Sequence, residues 1–229
     1  MRDRLFLLSG ILGVGTLAVT LLMSFVGPRE VGPMSPGFRS PVLAFEFART
    51  EDEVRQLFEP EGSAAAMDRL NRWDFLYIAL YGGFLATFAL AAALETDQYT
   101  PWAAVALAPL IMLADVMENV QLFSLTRQLE LGGDFGHALW WLHLFTWLKW
   151  GGLAIYFLLI SGYFRELSGP WRFVWLLADF PALLAVWAWV SPGQASEIMV
   201  LSIGVMFLLL IAHAWWRALT YNLQARGAW

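Results

Sequence analysis

Long apolar runs, separated by short polar stretches, set the pattern of this chain. The first goes from Leu5 to Val26, behind the start Met1-Arg2-Asp3-Arg4. At ~1.5 Å of helix rise per residue it is long enough for the ~30 Å hydrocarbon core of a bilayer. A signal peptide would have a shorter apolar core and a small-residue cleavage site. Here the run ends in Gly27-Pro28-Arg29-Glu30, which favours a retained helix. Further spans are predicted from about Arg72 (Ser63 at the earliest) to Leu94, Pro101 to Leu125, Leu139 to Tyr163, Trp171 to Val190 and Glu197 to Trp216. Their short connections make sequence neighbours antiparallel neighbours in space. The expected fold is all-α: a polytopic transmembrane helical bundle of about six spanning helices, with residues 1–229 forming one membrane domain. Ala79, Gly83, Thr87 and Ala91 recur every four residues in the second span. Such a small-residue ridge lets another helix approach closely.

Residues 27–70 are the one long stretch without an apolar run. Pro28, Pro33, Pro36 and Pro41 predict extended or turning chain. Thr50-Glu51-Asp52-Glu53 then forms a capping-box pattern, with Glu53 placed to reach back to the start of the helix. Acids in that first turn suit the helix dipole. Val54, Leu57 and Phe58 fall on one face, so a short amphipathic cap helix is expected at about 51–59, on the membrane or on the bundle.

Composition supports lipid as the main solvent. The chain is 59% hydrophobic and 14% charged, where a soluble domain carries roughly a quarter charged residues. Its 13 Trp fit membrane interfaces. The absence of Cys excludes disulfides, thiolate metal sites and a Cys nucleophile. A net charge of −5 with no basic run argues against nucleic acid. Arg2, Arg4, Arg165, Arg172, Arg217 and Arg226 fall on one side of a six-span chain. By the positive-inside tendency that side is expected to be cytoplasmic, with both termini inside. Arg29, Arg39, Arg49, Arg55 and Arg69 lie in the opposing loop, which is long and acid-rich and so counts for less.

Charge inside the spans changes the picture most. A charged side chain costs at least ~2.5 kcal/mol to insert at a helix centre. In the third span Asp115, Glu118 and Asn119 lie at i, i+3 and i+4 and share a face. The fourth span holds Lys149, the single lysine, and the fifth holds Asp179 just before Pro181. The second begins with Asn71, Arg72 and Asp74, followed by Tyr77 and Tyr81. From the outer helix ends, Glu118 is roughly 10 Å deep, and Asp115 and Lys149 roughly 15 Å. Lys149 is therefore expected to pair with Asp115 or Glu118, with Asp179 near mid-membrane. One lysine cannot neutralise three acids, so at least one carboxyl is expected to hold a proton. That makes a candidate acid–base centre or proton relay. The alternative is architectural: an ion pair that fixes helix register.

His143 is expected about 9 Å from Lys149 toward the outer side. His137, His143 and His213 are the only histidines. His143 and His213 sit near opposite sides and do not match as haem ligands, and no HExxH-type spacing marks a metal site. No cofactor is indicated. Pro109 and Pro181 interrupt their helices and free carbonyls one turn back.

Several segments carry a resemblance. They are Phe45-Glu46-Phe47-Ala48-Arg49-Thr50 before a short acidic helix, Trp73-Asp74-Phe75-Leu76 with Tyr81, Ala114-Asp115-Val116-Met117-Glu118-Asn119, and Leu148-Lys149-Trp150. Over residues 45 to about 160 the chain resembles a group of uncharacterised bacterial multi-helix integral membrane proteins. The resemblance implies a bacterial inner-membrane location and brings no activity with it. The aspartate-rich motifs of prenyltransferases and of phospholipid head-group transferases are missing. A helical bundle with buried carboxylates is loosely similar to sterol-isomerase-type membrane proteins, at the level of fold alone.

The functional expectation is a protein that binds or acts on a lipid or amphiphilic small molecule. Asp115, Glu118 and Lys149 would be its acid–base or anchoring groups. Asp74, Tyr77, Tyr81, Asn119, His143 and Asp179 would contact the ligand. Membrane lipids are the expected partners. The alternative is an accessory subunit of a larger membrane complex, with other subunits or a homo-oligomer as partners. A proton-coupled transporter is a third reading, weakened by the lack of an internal repeat.

Overall fold

The computed structural model describes residues 2–226; Met1 and the side chains of Asp3 and of residues 221–226, Arg226 among them, lie outside the described set. Among the described residues all regular structure is helical: α1 (Arg2–Val26), α2 (Pro41–Glu46), α3 (Glu51–Leu57), α4 (Ser63–Ala93), α5 (Thr100–Leu131), α6 (Gly136–Glu166), a 3₁₀ turn (Pro170–Phe173), α7 (Val174–Ala178), α8 (Phe180–Val190) and α9 (Gln194–Arg226). Six segments are long and apolar enough to cross a membrane, the fifth being the broken stretch Pro170–Val190. The chain is a multi-pass membrane helical bundle.

Each span packs on its sequence neighbours, and α1 packs against α9, which closes the set into a ring. Small residues set the approach. A Cβ on Gly13 of α1 would lie 2.5 Å from Ile211 Cγ1 of α9, and one on Gly10 would lie 3.1 Å from the Trp215 ring. Gly82 and Gly83 put opposite sides of α4 against Met112 of α5 and Leu12 of α1. Of the expected small-residue ridge, Gly83 and the buried Ala91 serve this packing, while Ala79 is exposed. Lipid gives no hydrophobic drive between helices, so such close packing carries the association. Inside the ring, Phe84, Phe88, Tyr156, Phe157 and Phe207 are buried and fill the centre. Tyr156 donates to the Leu85 carbonyl at 2.8 Å.

Residues 27–62 form a cap over the end where α5 turns into α6. Its core joins Phe45, Val54 and Leu57 to Met67, Leu125, Phe135 and Leu142. α3 has the expected capping box: Thr50 Oγ1 accepts from Glu53 N at 3.3 Å, and Glu53 accepts from Thr50 N at 3.0 Å. The preceding stretch departs from expectation. Pro41 does not extend the chain but opens α2 at its first turn, where a missing N–H costs nothing, and Ser40 caps it. α9 holds this piece of cap down. Glu197 Oε1 accepts from Arg39 N at 2.8 Å and from Ser40 N at 2.7 Å. Beside it Gly37 and Gly193, both at positive φ, let two backbones touch: a Cβ on Gly193 would lie 2.5 Å from the Pro36 carbonyl oxygen.

The predicted fifth helix is not continuous. It breaks at Asp179, between α7 and α8, where Pro181 has no N–H for the preceding turn. The other spans run beyond their apolar limits. α5 continues to Leu131 and α6 begins at Gly136, so about one more turn of each stands under the cap.

Candidate functional site

Below the cap, α2, α4, α5 and α6 bring their polar residues to one place. Lys149 of α6 is the hub. Its Nζ contacts Glu118 of α5 closely, lies 2.9 Å from Glu46 Oε1 of α2, and lies 3.4 Å from Asp115 Oδ1. All four residues are buried. Glu118 and Lys149 each sit about thirteen residues, roughly 20 Å, from the α5–α6 turn. Their depths match as the sequence implied, but the cluster is deeper than expected because both helices are longer.

The remaining polar atoms are mostly satisfied. Tyr81 of α4 donates to Asp115 Oδ2 at 2.7 Å. Trp150 Nε1 donates to Glu46 Oε2 at 2.9 Å. Asn119 Nδ2 donates to Asp74 Oδ2 at 2.6 Å. The Thr146 hydroxyl lies 2.6 Å from Glu118 Oε1 and 3.0 Å from the Glu46 carbonyl oxygen. Its single proton can serve one of these acceptors at a time. Two atoms are exceptions: Asp115 Oδ1 has only the ion-pair contact with Lys149, and Asn71 Nδ2 has no acceptor. Burial pushes the Glu46 carboxyl above its ordinary range, and the Lys149 ammonium opposes that shift.

This wall faces a cavity of about 490 Å³. Glu46, Asp74, Tyr77, Tyr81, Asp115 and Lys149 line one side of it, and Thr16, Leu17, Leu201, Gly204 and Phe207 of α1 and α9 line the other. A second chamber of about 370 Å³ adjoins it under the cap and shares Glu46, Asp74 and Tyr77 with the first; Asn71 and Asn119 add to its polar lining. The two helices that touch at Gly13 and Ile211 leave room nearer the cap. A Cβ on Gly204 would meet nothing within 4 Å. Leu17 is 38% and Leu201 68% exposed. The cavity thus has an apolar side along α1 and α9 and a charged inner wall.

Of the residues singled out in the sequence, Asp74, Tyr77, Tyr81, Asp115, Glu118, Asn119 and Lys149 meet here. Two do not. Asp179, in the middle of the span Pro170–Val190, does not join Lys149: Arg165, near the end of α6, pairs with it at 3.0 Å. His143 lies at the cap end in a separate depression with Arg49, Trp140 and Trp189. His213 lies on the far side of the aromatic core, 2.9 Å from the Tyr163 hydroxyl and packed against Phe6, Phe88 and Trp171.

Three participants were not singled out as site residues: Glu46, Thr146 and Trp150. Glu46 belongs to one of the segments that carry the resemblance, but nothing local marks it as buried. Thr146 does have a signal, since it lies at i−3 from Lys149 on the same helix face, whereas Trp150 at i+1 has none. The arrangement can hold a polar group against fixed acids and hydroxyls while an apolar chain runs along α1 and α9. No known protein family, curated protein or solved structure matches this chain.

Proposed function

We propose that this protein binds, and presents for acid–base chemistry, an amphiphile taken sideways from the membrane leaflet on the cap side. The carrying observation is the cavity between α1 and α9, whose inner wall is the Asp74–Asp115–Lys149–Glu46 constellation. A polar head fits the charged wall and a chain fits the apolar side. Asp115 and Lys149 are the groups assigned to the head, Tyr77 and Tyr81 line its path, and Glu118 holds Lys149 from behind. The arginines at the terminal end support both termini being cytoplasmic and the cap outside, and the resemblance of residues 45 to about 160 is what supports a bacterial inner membrane. An ion path is disfavoured among the described residues, because buried Phe84, Phe88, Phe157 and Phe207 stand between the cluster and the opposite end.

The test is native mass spectrometry after gentle extraction. A single lipid-sized molecule is expected on the wild-type chain and is expected to be missing from Gly204→Trp, which fills the cavity mouth. Stoichiometric partner chains with no bound amphiphile would instead make this an accessory subunit, and the charges architecture.

A further inference from the structure

The charge bookkeeping of the cavity wall goes one step further than the binding of an amphiphile. An ammonium has three protons, and those of Lys149 face Glu118, Glu46 and Asp115. The Trp150 ring, 4.7 Å from Nζ, covers another side. Among the described residues that line the two chambers, Lys149 is the only cation. No positive group is left over for a phosphate or carboxylate head.

Acceptor capacity, in contrast, is left over. Glu197 receives the amides of Arg39 and Ser40 on Oε1, and Glu46 receives Lys149 on Oε1 and Trp150 on Oε2. Asp74 receives Asn119 on Oδ2. Asp115, 3% exposed, receives Tyr81 on Oδ2 and has on Oδ1 only the ion-pair contact with Lys149 at 3.4 Å, which Lys149 shares with two other acids. An anionic head would meet a wall in which carboxylates outnumber the one cation, with the unpartnered Asn71 amide in the adjoining chamber as a neutral donor. A cationic one would meet that surplus of carboxylates and the rings of Tyr77, Tyr81 and Phe207, which also attract cations.

Resting on the reading above, we infer that the ligand is an amine-bearing amphiphile of the membrane, with Asp74 and Asp115 as the counter-ions of its head. The mouth between Leu17 and Leu201 opens along helices that face lipid, which makes the membrane the source.

The experiment uses the full-length chain in a neutral polyoxyethylene detergent. Retention of dodecylamine, dodecanol and dodecyl sulfate is compared by native mass spectrometry, with butylamine as a water-soluble competitor. One dodecylamine per chain is expected, held at least tenfold more tightly than the other two probes. Asp74→Asn keeps the side-chain shape and still accepts from Asn119, so it tests charge without removing the contact; the preference for the amine is expected to fall tenfold or more. Gly204→Trp is expected to lose all three probes. Tighter retention of the sulfate, or an amine preference that survives both Asp74→Asn and Asp115→Asn, overturns the inference. Equal retention of all three probes, lost in Gly204→Trp, overturns the head-group assignment but leaves amphiphile binding standing. Retention of none overturns both. Displacement by butylamine as effective as by dodecylamine overturns the membrane source.

Discussion

Lys149 shows how much rests on single side chains in this bundle. It is one ammonium among three buried carboxylates, and the local low dielectric makes each unpaired charge costly. Replacing it by Met leaves Glu46, Asp115 and Glu118 facing one another. Breaking a buried ion pair from one side costs about 3–5 kcal/mol. Lys149→Met is therefore expected to lower the unfolding midpoint in detergent strongly, and Glu118→Gln much less, since Lys149 keeps Glu46 and Asp115. Equal destabilisation by both variants would count against Lys149 as the hub. The sequence disclosed the hub and two of its acids through the cost of charge in an apolar run. It could not disclose Glu46. A glutamate in a polar, proline-rich stretch carries no such cost until α2 folds it beneath the cap.

At the scale of the element, α3 and its capping box were legible because both rest on local rules: hydroxyl, acid and apolar positions at fixed spacing. α2 was not, because Pro41 signals extended chain as strongly as a helix start, and the Glu197 contact that settles the matter lies far along the sequence. The fifth span crosses as its run length implied, and Pro181 marked the interruption between α7 and α8. The pairing of Asp179 with Arg165 was not legible, because it joins two different spans. α3 also carries a pH dependence. Partial burial raises the Glu53 carboxyl, but the N–H groups of Arg49 and Thr50 and the Ser35 hydroxyl outweigh it, so its pKa lies below the ordinary 4.5. A depressed carboxyl pKa stabilises the folded cap above 4.5 and loses that contribution as pH falls through the lowered value. Amide protection across α3, followed by hydrogen exchange, is expected to drop over that acid window. Glu53→Gln is expected to have weaker protection at neutral pH and to flatten the dependence; an unchanged acid response would contradict the assignment.

For the molecule as a whole, the count of spans and their antiparallel order follow from run length and short loops. The ring does not, because contact between the first and last spans leaves no mark in local sequence. Gly13 is where that closure is tightest. Gly13→Val brings side-chain atoms into Ile211 and is expected to cost about 1–3 kcal/mol of stability by overpacking. Pairing it with Ile211→Ala is expected to recover part of the loss in the same thermal unfolding measurement, and additive losses would argue against this contact as the closure. The closure also bears on biosynthesis. The inner wall of the cavity is complete once α6 has entered the bilayer, yet its other side needs α9, which follows α6 in the chain. Until then the wall of acids stands open on the side that α9 later covers. On the proposed function, an amphiphile meets an open groove until α9 arrives, and the arrival of α9 turns that groove into a chamber.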